Sequence, residues 1–150
     1  MTAPDEPLNV DLVTETCLAV RLRLLNRVIT NIYDLALRPL GLKVSQLNIL
    51  ILTAKLGVAQ PARICEILQL DVSTLSRNVD RMKTNGWLEV VPASDGRVQP
   101  FRLTAAGEKL VKDALPIWQT AQDEACELIG DQAVSAIARV TRKLFRSRSG

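Results

Sequence analysis

Residues 70–107, LDVSTLSRNVDRMKTNGWLEVVPASDGRVQPFRLTAAG, leave the chain little freedom of architecture. The spacing predicts a short amphipathic helix over residues 71–84. At 100° per residue, Leu75, Val79 and Met82 fall on one stripe with Val72 at its edge, and that side is expected to be buried. Ser73, Thr74, Arg77 and Arg81 fall on the opposite side, a face of short hydroxyls and guanidiniums with no acid at its centre. Such groups suit a helix in a DNA major groove: hydroxyls to bases or phosphates, arginine to guanine or phosphate. Asn85-Gly86 stops the helix, because glycine or asparagine can take the left-handed cap. Two short strands follow, residues 87–91 and 101–104, around a Pro/Ser/Asp/Gly run that reads as a hairpin tip. The tip carries Asp95 and Arg97 two positions apart. A carboxylate so placed can hold the arginine extended, sparing rotamer entropy when it docks. Helix, turn and basic hairpin together read as a winged helix-turn-helix.

The rest of the chain accommodates that unit. Its 150 residues make one domain by length, with room for a full core. A hydrophobic fraction of 47% with only 3% aromatics means a core of Leu, Ile, Val and Ala, which favours packed helices. The fold class expected is therefore mainly α with a small β wing. The net charge of +3 permits nucleic acid without demanding it, but its distribution says more. Residues 43–104 hold eight Lys/Arg against five Asp/Glu, and residues 138–150 hold five bases and no acid. The first sixteen residues carry four acids and no base, and residues 105–137 carry six acids against two bases. Positive charge is concentrated on the winged segment and the C-terminal tail.

Several classes are disfavoured. The N-terminus is acidic and poor in apolar residues, so it does not read as a signal peptide. The longest apolar run, near Leu47 to Ala54, is too short to span a bilayer, so a cytoplasmic location is expected. Cys17, Cys65 and Cys126 are odd in number and widely spaced, and there is no histidine. That disfavours a disulfide framework, a structural zinc site and imidazole-based catalysis. No glycine-rich phosphate loop is present. The chain does not read as an enzyme, and no cofactor or metal is expected.

Along the chain, one long helix is expected over residues 11–37. Its apolar positions, among them Leu12, Leu18, Leu24, Leu25, Val28, Ile32 and Leu35, cover more than half of the circumference, so part of that surface needs another partner. Arg38-Pro39 ends it. Ser45 is expected to cap a second helix over residues 46–55. Residues 57–60 can supply a third strand to the wing sheet. Pro61 opens a third helix over residues 61–69, with Ile64, Ile67 and Leu68 inward. After the hairpin, Thr104 caps a helix from about Ala105 past Pro116 to about Gly130. Asp131 is expected to cap a last helix over residues 132–145, with Ala133, Ile137, Val140 and Leu144 apolar.

The winged stretch resembles the DNA-binding core of the MarR family of bacterial transcriptional regulators. Leu70-Asp71-Val72-Ser73-Thr74-Leu75-Ser76-Arg77, then Val79-Asp80-Arg81-Met82, is similar to that family's recognition helix. Asn85-Gly86-Trp87-Leu88 matches the turn into the wing. Asp95-Gly96-Arg97, five residues, then Leu103-Thr104-Ala105-Ala106-Gly107 matches the wing pattern D-x-R-x5-L-T-x-x-G. Pro39-Leu40-Gly41-Leu42 with Val44-Ser45-Gln46 resembles the link between the family's first two helices. Family members usually have glycine near the end of the third helix, where this chain has Gln69 and Leu70. The resemblance implies a single MarR-like domain of residues 1–150. Residues 39–107 would form the winged lobe, and residues 1–38 and 108–150 the helical dimerisation region. It also implies a homodimer on a near-palindromic operator in double-stranded DNA, usually as a repressor released by a small anionic or phenolic effector.

The candidate DNA contacts are then Ser73, Thr74, Arg77 and Arg81 on the helix, with Ser76 and Asn78 on its flanks. Arg77 is the candidate for direct base readout. Asp80 is expected to orient Arg77, Arg81 or a backbone group. The family pattern sends Arg97, next to Asp95, into the minor groove, where narrow A·T tracts concentrate negative charge. Lys43 and Arg63 are candidates for phosphates. On the first helix, Arg21, Arg27 and Tyr33 are candidates for the effector. Two alternatives stay open. Cys17, one turn from Arg21, could make a redox-sensing regulator, although free cysteines are commonly buried packing residues. The winged helix could instead bind protein without DNA.

Overall fold

The computed structural model describes residues 9–94, 96–97 and 99–146. It begins with two helices where one was expected. Helices α1 (Val10–Thr16) and α2 (Leu18–Leu37) part at Cys17, whose backbone is extended at φ −61° and ψ 112°. Before the break, Thr14 and Thr16 turn their hydroxyls onto the Asp11 and Leu12 carbonyls at 3.0 and 2.5 Å. The Arg21 guanidinium then donates to the Glu15 carbonyl across the break.

A 3-10 turn (Arg38–Leu40) and a left-handed Gly41 close α2. Helix α3 (Val44–Leu56) starts earlier than expected and is not capped by Ser45. Its first amide, on Val44, donates to the Asp34 carboxylate of α2 at 2.8 Å, and the Lys43 amide donates to the Gln46 side-chain carbonyl at 3.1 Å. Ser45 lies exposed within the first turn. Helix α4 (Pro61–Leu68) ends at Gln69, which takes the left-handed conformation (φ 53°) that glycine most readily adopts. Helix α5 (Val72–Thr84) follows at once.

Strands β1 (Leu88–Val90) and β2 (Phe101–Leu103) pair antiparallel, with Leu88 opposite Leu103 and Val90 opposite Phe101. Each is slightly shorter than the spacing suggests. Ala59 adds the expected third rung as a single-residue bridge, exchanging hydrogen bonds of 2.8 and 3.1 Å with Phe101. Thr104 caps α6 (Ala105–Ile129): its hydroxyl accepts from the Gly107 amide at 3.0 Å and donates to the Gly86 carbonyl at 2.5 Å. Helix α7 (Asp131–Arg146) includes Asp131 as its first residue.

The core belongs to the winged lobe and the helix ends that meet it. Leu37 of α2, Leu47, Ile49 and Leu50 of α3, Ile64, Leu75, Met82, Leu88, Phe101 and Ala114 form one buried cluster. The long helices are different. Helix α1 buries no residue and α2 only Leu37, while Leu18, Leu24 and Leu144 are 67%, 59% and 58% exposed.

Candidate nucleic-acid interface

Asp71 organises the start of α5. Its carboxylate accepts from the Thr74 amide at 2.7 Å, from the Ser73 hydroxyl at 2.6 Å and from the Thr74 hydroxyl at 2.7 Å. These bonds, that of Ser73 foremost, hold the Asp71 carboxyl well below the ordinary carboxylate range. Two of the expected contact residues are therefore pre-set by an acid that the sequence reading did not include among the site residues. The signal was present, since an aspartate three residues before Thr74 is a helix N-cap pattern.

Arg77 lies one turn on, exposed, with its guanidinium 3.5 Å from the Thr74 hydroxyl. Ser76 and Arg81 are also exposed. Asn78 is half-buried and turns its amide onto the Thr74 carbonyl of its own helix at 3.0 Å. Asp80 faces Lys83 at 3.6 Å, rather than either of the arginines it was expected to orient. The helical repeat explains this, because Lys83 lies three residues on, on the same side. Val72 departs further from expectation. It was placed at the edge of the buried stripe, yet it is 73% exposed. The first turn of α5 extends past the neighbours that bury Leu75 and Met82.

The wing lies alongside. Gly96 and Arg97 are exposed at the hairpin tip, whereas the expectation for Asp95 lies outside the described residues. A cleft of about 260 Å³ runs between helix and wing, with Val72, Ser76 and Lys83 on one wall and Arg97 and Gln99 on the other. Arg102 pairs with Glu89 across the strands at 2.6 Å. Arg63 is exposed but paired with Glu66 at 2.7 Å, and Lys43 is exposed at the head of α3. The arrangement offers the Arg77 and Arg81 guanidiniums and the Ser76 hydroxyl along the helix, and a further guanidinium on the adjacent hairpin, as donors to phosphates and purine edges. Ser73 and Thr74, whose hydroxyl protons go to Asp71, offer acceptor lone pairs instead.

The remaining candidates do not converge on one another. Arg21 is engaged with the Glu15 carbonyl, and Arg27 is exposed on α2. Tyr33 is half-buried, and its hydroxyl donates to the Gln122 side-chain carbonyl of α6. Burial, and secondarily Cys126, pushes the Tyr33 phenol above its ordinary pKa. The residue lines a cavity of about 280 Å³ with aliphatic side chains of α2, α6 and α7, and neither arginine contributes to its wall. Cys17 sits half-buried at the break between α1 and α2. All three cysteines are free thiols. Among the described residues, no cluster of His, Cys, Asp or Glu is placed to hold a metal ion.

A two-helix turn, with its second helix presenting a polar, basic end beside a β-hairpin, defines a winged helix-turn-helix protein. Residues 40–97 of the chain match the model of the MarR family. Its fold is similar to that of a mutant MarR from E. coli complexed with operator DNA: TM-score 0.78, 20% identity, covering 89% of this chain and 96% of that one. M. tuberculosis MOSR in complex with DNA superimposes with a TM-score of 0.75 at 27% identity, over 89% of this chain and 99% of that one. BpsR of Bordetella bronchiseptica, whose DNA binding is regulated by 6-hydroxynicotinic acid, gives 0.75 at 19% identity, over 86% and 93%. No curated protein matches the chain in sequence.

Proposed function

We propose that this protein is a sequence-specific, double-stranded DNA-binding transcriptional regulator that works as a homodimer. One observation carries the reading: Asp71 sets Ser73 and Thr74 at the start of α5 with Arg77 one turn on, while the adjoining face of that helix, through Val72 and Ser76, shares a cleft with the wing arginine Arg97. In this reading the exposed face of α5, with Arg77, enters the major groove and Arg97 reaches the adjacent minor groove. That two proteins of similar fold were solved in complex with DNA supports DNA binding. Lys43 and Arg63 stand at the periphery as phosphate contacts; Arg63 would exchange Glu66 for phosphate.

The dimer part rests on the long helices. Leu18, Leu22, Leu24 and Val28 on α2, and Ile137, Val140 and Leu144 on α7, are exposed aliphatics. So much apolar surface on one lobe calls for a partner, and a second copy in two-fold symmetry covers like with like. Such a pair demands a near-palindromic operator with half-sites about 10 bp apart. Release by a small molecule follows the BpsR precedent, and a phenolic group suits the uncharged cavity beside Tyr33 better than a carboxylate. Among the described residues no single helix is long and apolar enough to cross a membrane, and we place the protein in the cytoplasm with the DNA it regulates. This role requires no catalysis.

The test is selection from random duplexes. A symmetric enriched motif supports the reading. Retention of no duplex, or of all duplexes equally, at moderate salt overturns it.

A further inference from the structure

We propose that Val72 reads the 5-methyl group of a thymine in each operator half-site, and so determines specificity at that base pair. The inference rests on the DNA-binding reading above and adds a residue to it.

Val72 is 73% exposed, more than any other large hydrophobic side chain among the described residues. Folding gives no reason for it. The side chain buries little, and a β-branched residue is a mediocre helix former. Its position gives one. It is the first residue of α5, directly after the Asp71 cap. Helical Cβ atoms lean toward the N-terminus, so the isopropyl group projects past the end of the helix. That is the end a recognition helix inserts among the base edges. Ser76, one turn on, continues the same stripe and is exposed. Both line the cleft that ends at Arg97.

The other strongly exposed aliphatics, such as Leu18 and Leu24, lie on the helices assigned above to the dimer. Val72 lies on the duplex-facing one. It has no donor or acceptor to offer. Of the features a base pair displays in the major groove, the thymine methyl is the apolar one.

The operator selected by the wild-type protein is resynthesised with each thymine in turn replaced by deoxyuridine. That change removes the methyl and keeps every hydrogen-bonding group. Affinities of wild type, Val72→Ala and Val72→Thr are compared at fixed salt by fluorescence anisotropy. Wild type is expected to lose about four-fold per half-site at one symmetry-related pair of thymines, the weight of one methyl withdrawn from water. Val72→Ala should lose nothing there, and Val72→Thr, which keeps one methyl in place, should retain part of the sensitivity. A flat uracil scan with wild type overturns the proposal, as does a Val72→Ala variant that still discriminates at that pair. If wild type selects no sequence at all, the DNA-binding reading itself fails, which is a different result from a selected operator indifferent to its methyl groups.

Discussion

The α-carbon of Gly107 lies against the carbonyl of Trp87, so closely that a Cβ at that position would stand 2.1 Å from the oxygen. The glycine of the D-x-R-x5-L-T-x-x-G pattern is there because the first turn of α6 rests on the backbone entering the wing. The Thr104 cap fastens the same corner through the Gly86 carbonyl. Gly107→Ala should therefore destabilise the fold by about 1–3 kcal/mol, the usual cost of overpacking. Urea melts will show it. Operator affinity should fall as well, since the turn must give way where the wing begins. An alanine variant as stable as wild type would contradict the close approach.

Asp71 predicts a pH profile. Its folded pKa is depressed by hydrogen bonds from Ser73 and Thr74. Its stabilising contribution is thus complete above the ordinary carboxylate range and is lost only as pH falls through the lowered value. The chain has no histidine, the side chain that ordinarily titrates between about pH 5 and 8. Operator affinity at constant ionic strength should be flat across that window, and a step within it would show another group at work. Asp71→Ala should lower both Tm and affinity, because it unfastens the cap and both hydroxyls together.

Arg77 and Arg97 should fail in different ways. Arg77→Ala should cost about 1–3 kcal/mol of operator binding and relax the preference at one base pair, as removal of a bidentate hold on guanine does. Arg97→Ala should weaken all duplexes more evenly and reduce the slope of log K against log salt by about 0.9 for each phosphate it no longer neutralises. Salt titrations on selected and scrambled duplexes separate the two. An adaptor that binds protein through its winged helix would show neither effect.

Ile137, Val140 and Leu144 line one stripe of α7 at 44%, 53% and 58% exposure. A two-fold pair presents any substitution there twice. Val140→Asp should therefore raise the dimer dissociation constant by about two orders of magnitude, at roughly 1.5 kcal/mol or more for each aliphatic side chain returned to water. Sedimentation velocity reads this directly, and operator binding should fall with it. A wild-type protein that sediments as a monomer at micromolar concentration would remove the dimer from the reading.

The elements that punctuate themselves were legible in the sequence. Helix α5 lies between the Asp71 cap and Asn85-Gly86, and its 3.6-residue period places Leu75 and Met82 inside. Thr104 and Gly130 bracket α6 in the same way. What escaped carried no local signal or was decided by non-neighbours. The break at Cys17 has no glycine or proline to announce it. The cap on α3 comes from Asp34, ten residues back, so the nearer Ser45 was the natural but wrong choice. Tyr33 meets Gln122 across 89 residues, a pairing that periodicity along α2 cannot contain. Val72 shows the limit of the helical wheel: it gives an angle, but not where the neighbouring helices end.

The bond from the Val44 amide to the Asp34 carboxylate has a mechanical consequence. It joins the helix whose outer face awaits the second subunit to the helix that opens the winged lobe, at one point near the end of both. A single carboxylate thus ties the start of the winged lobe to the end of the long helix, so Asp34→Ala would loosen the placement of one against the other.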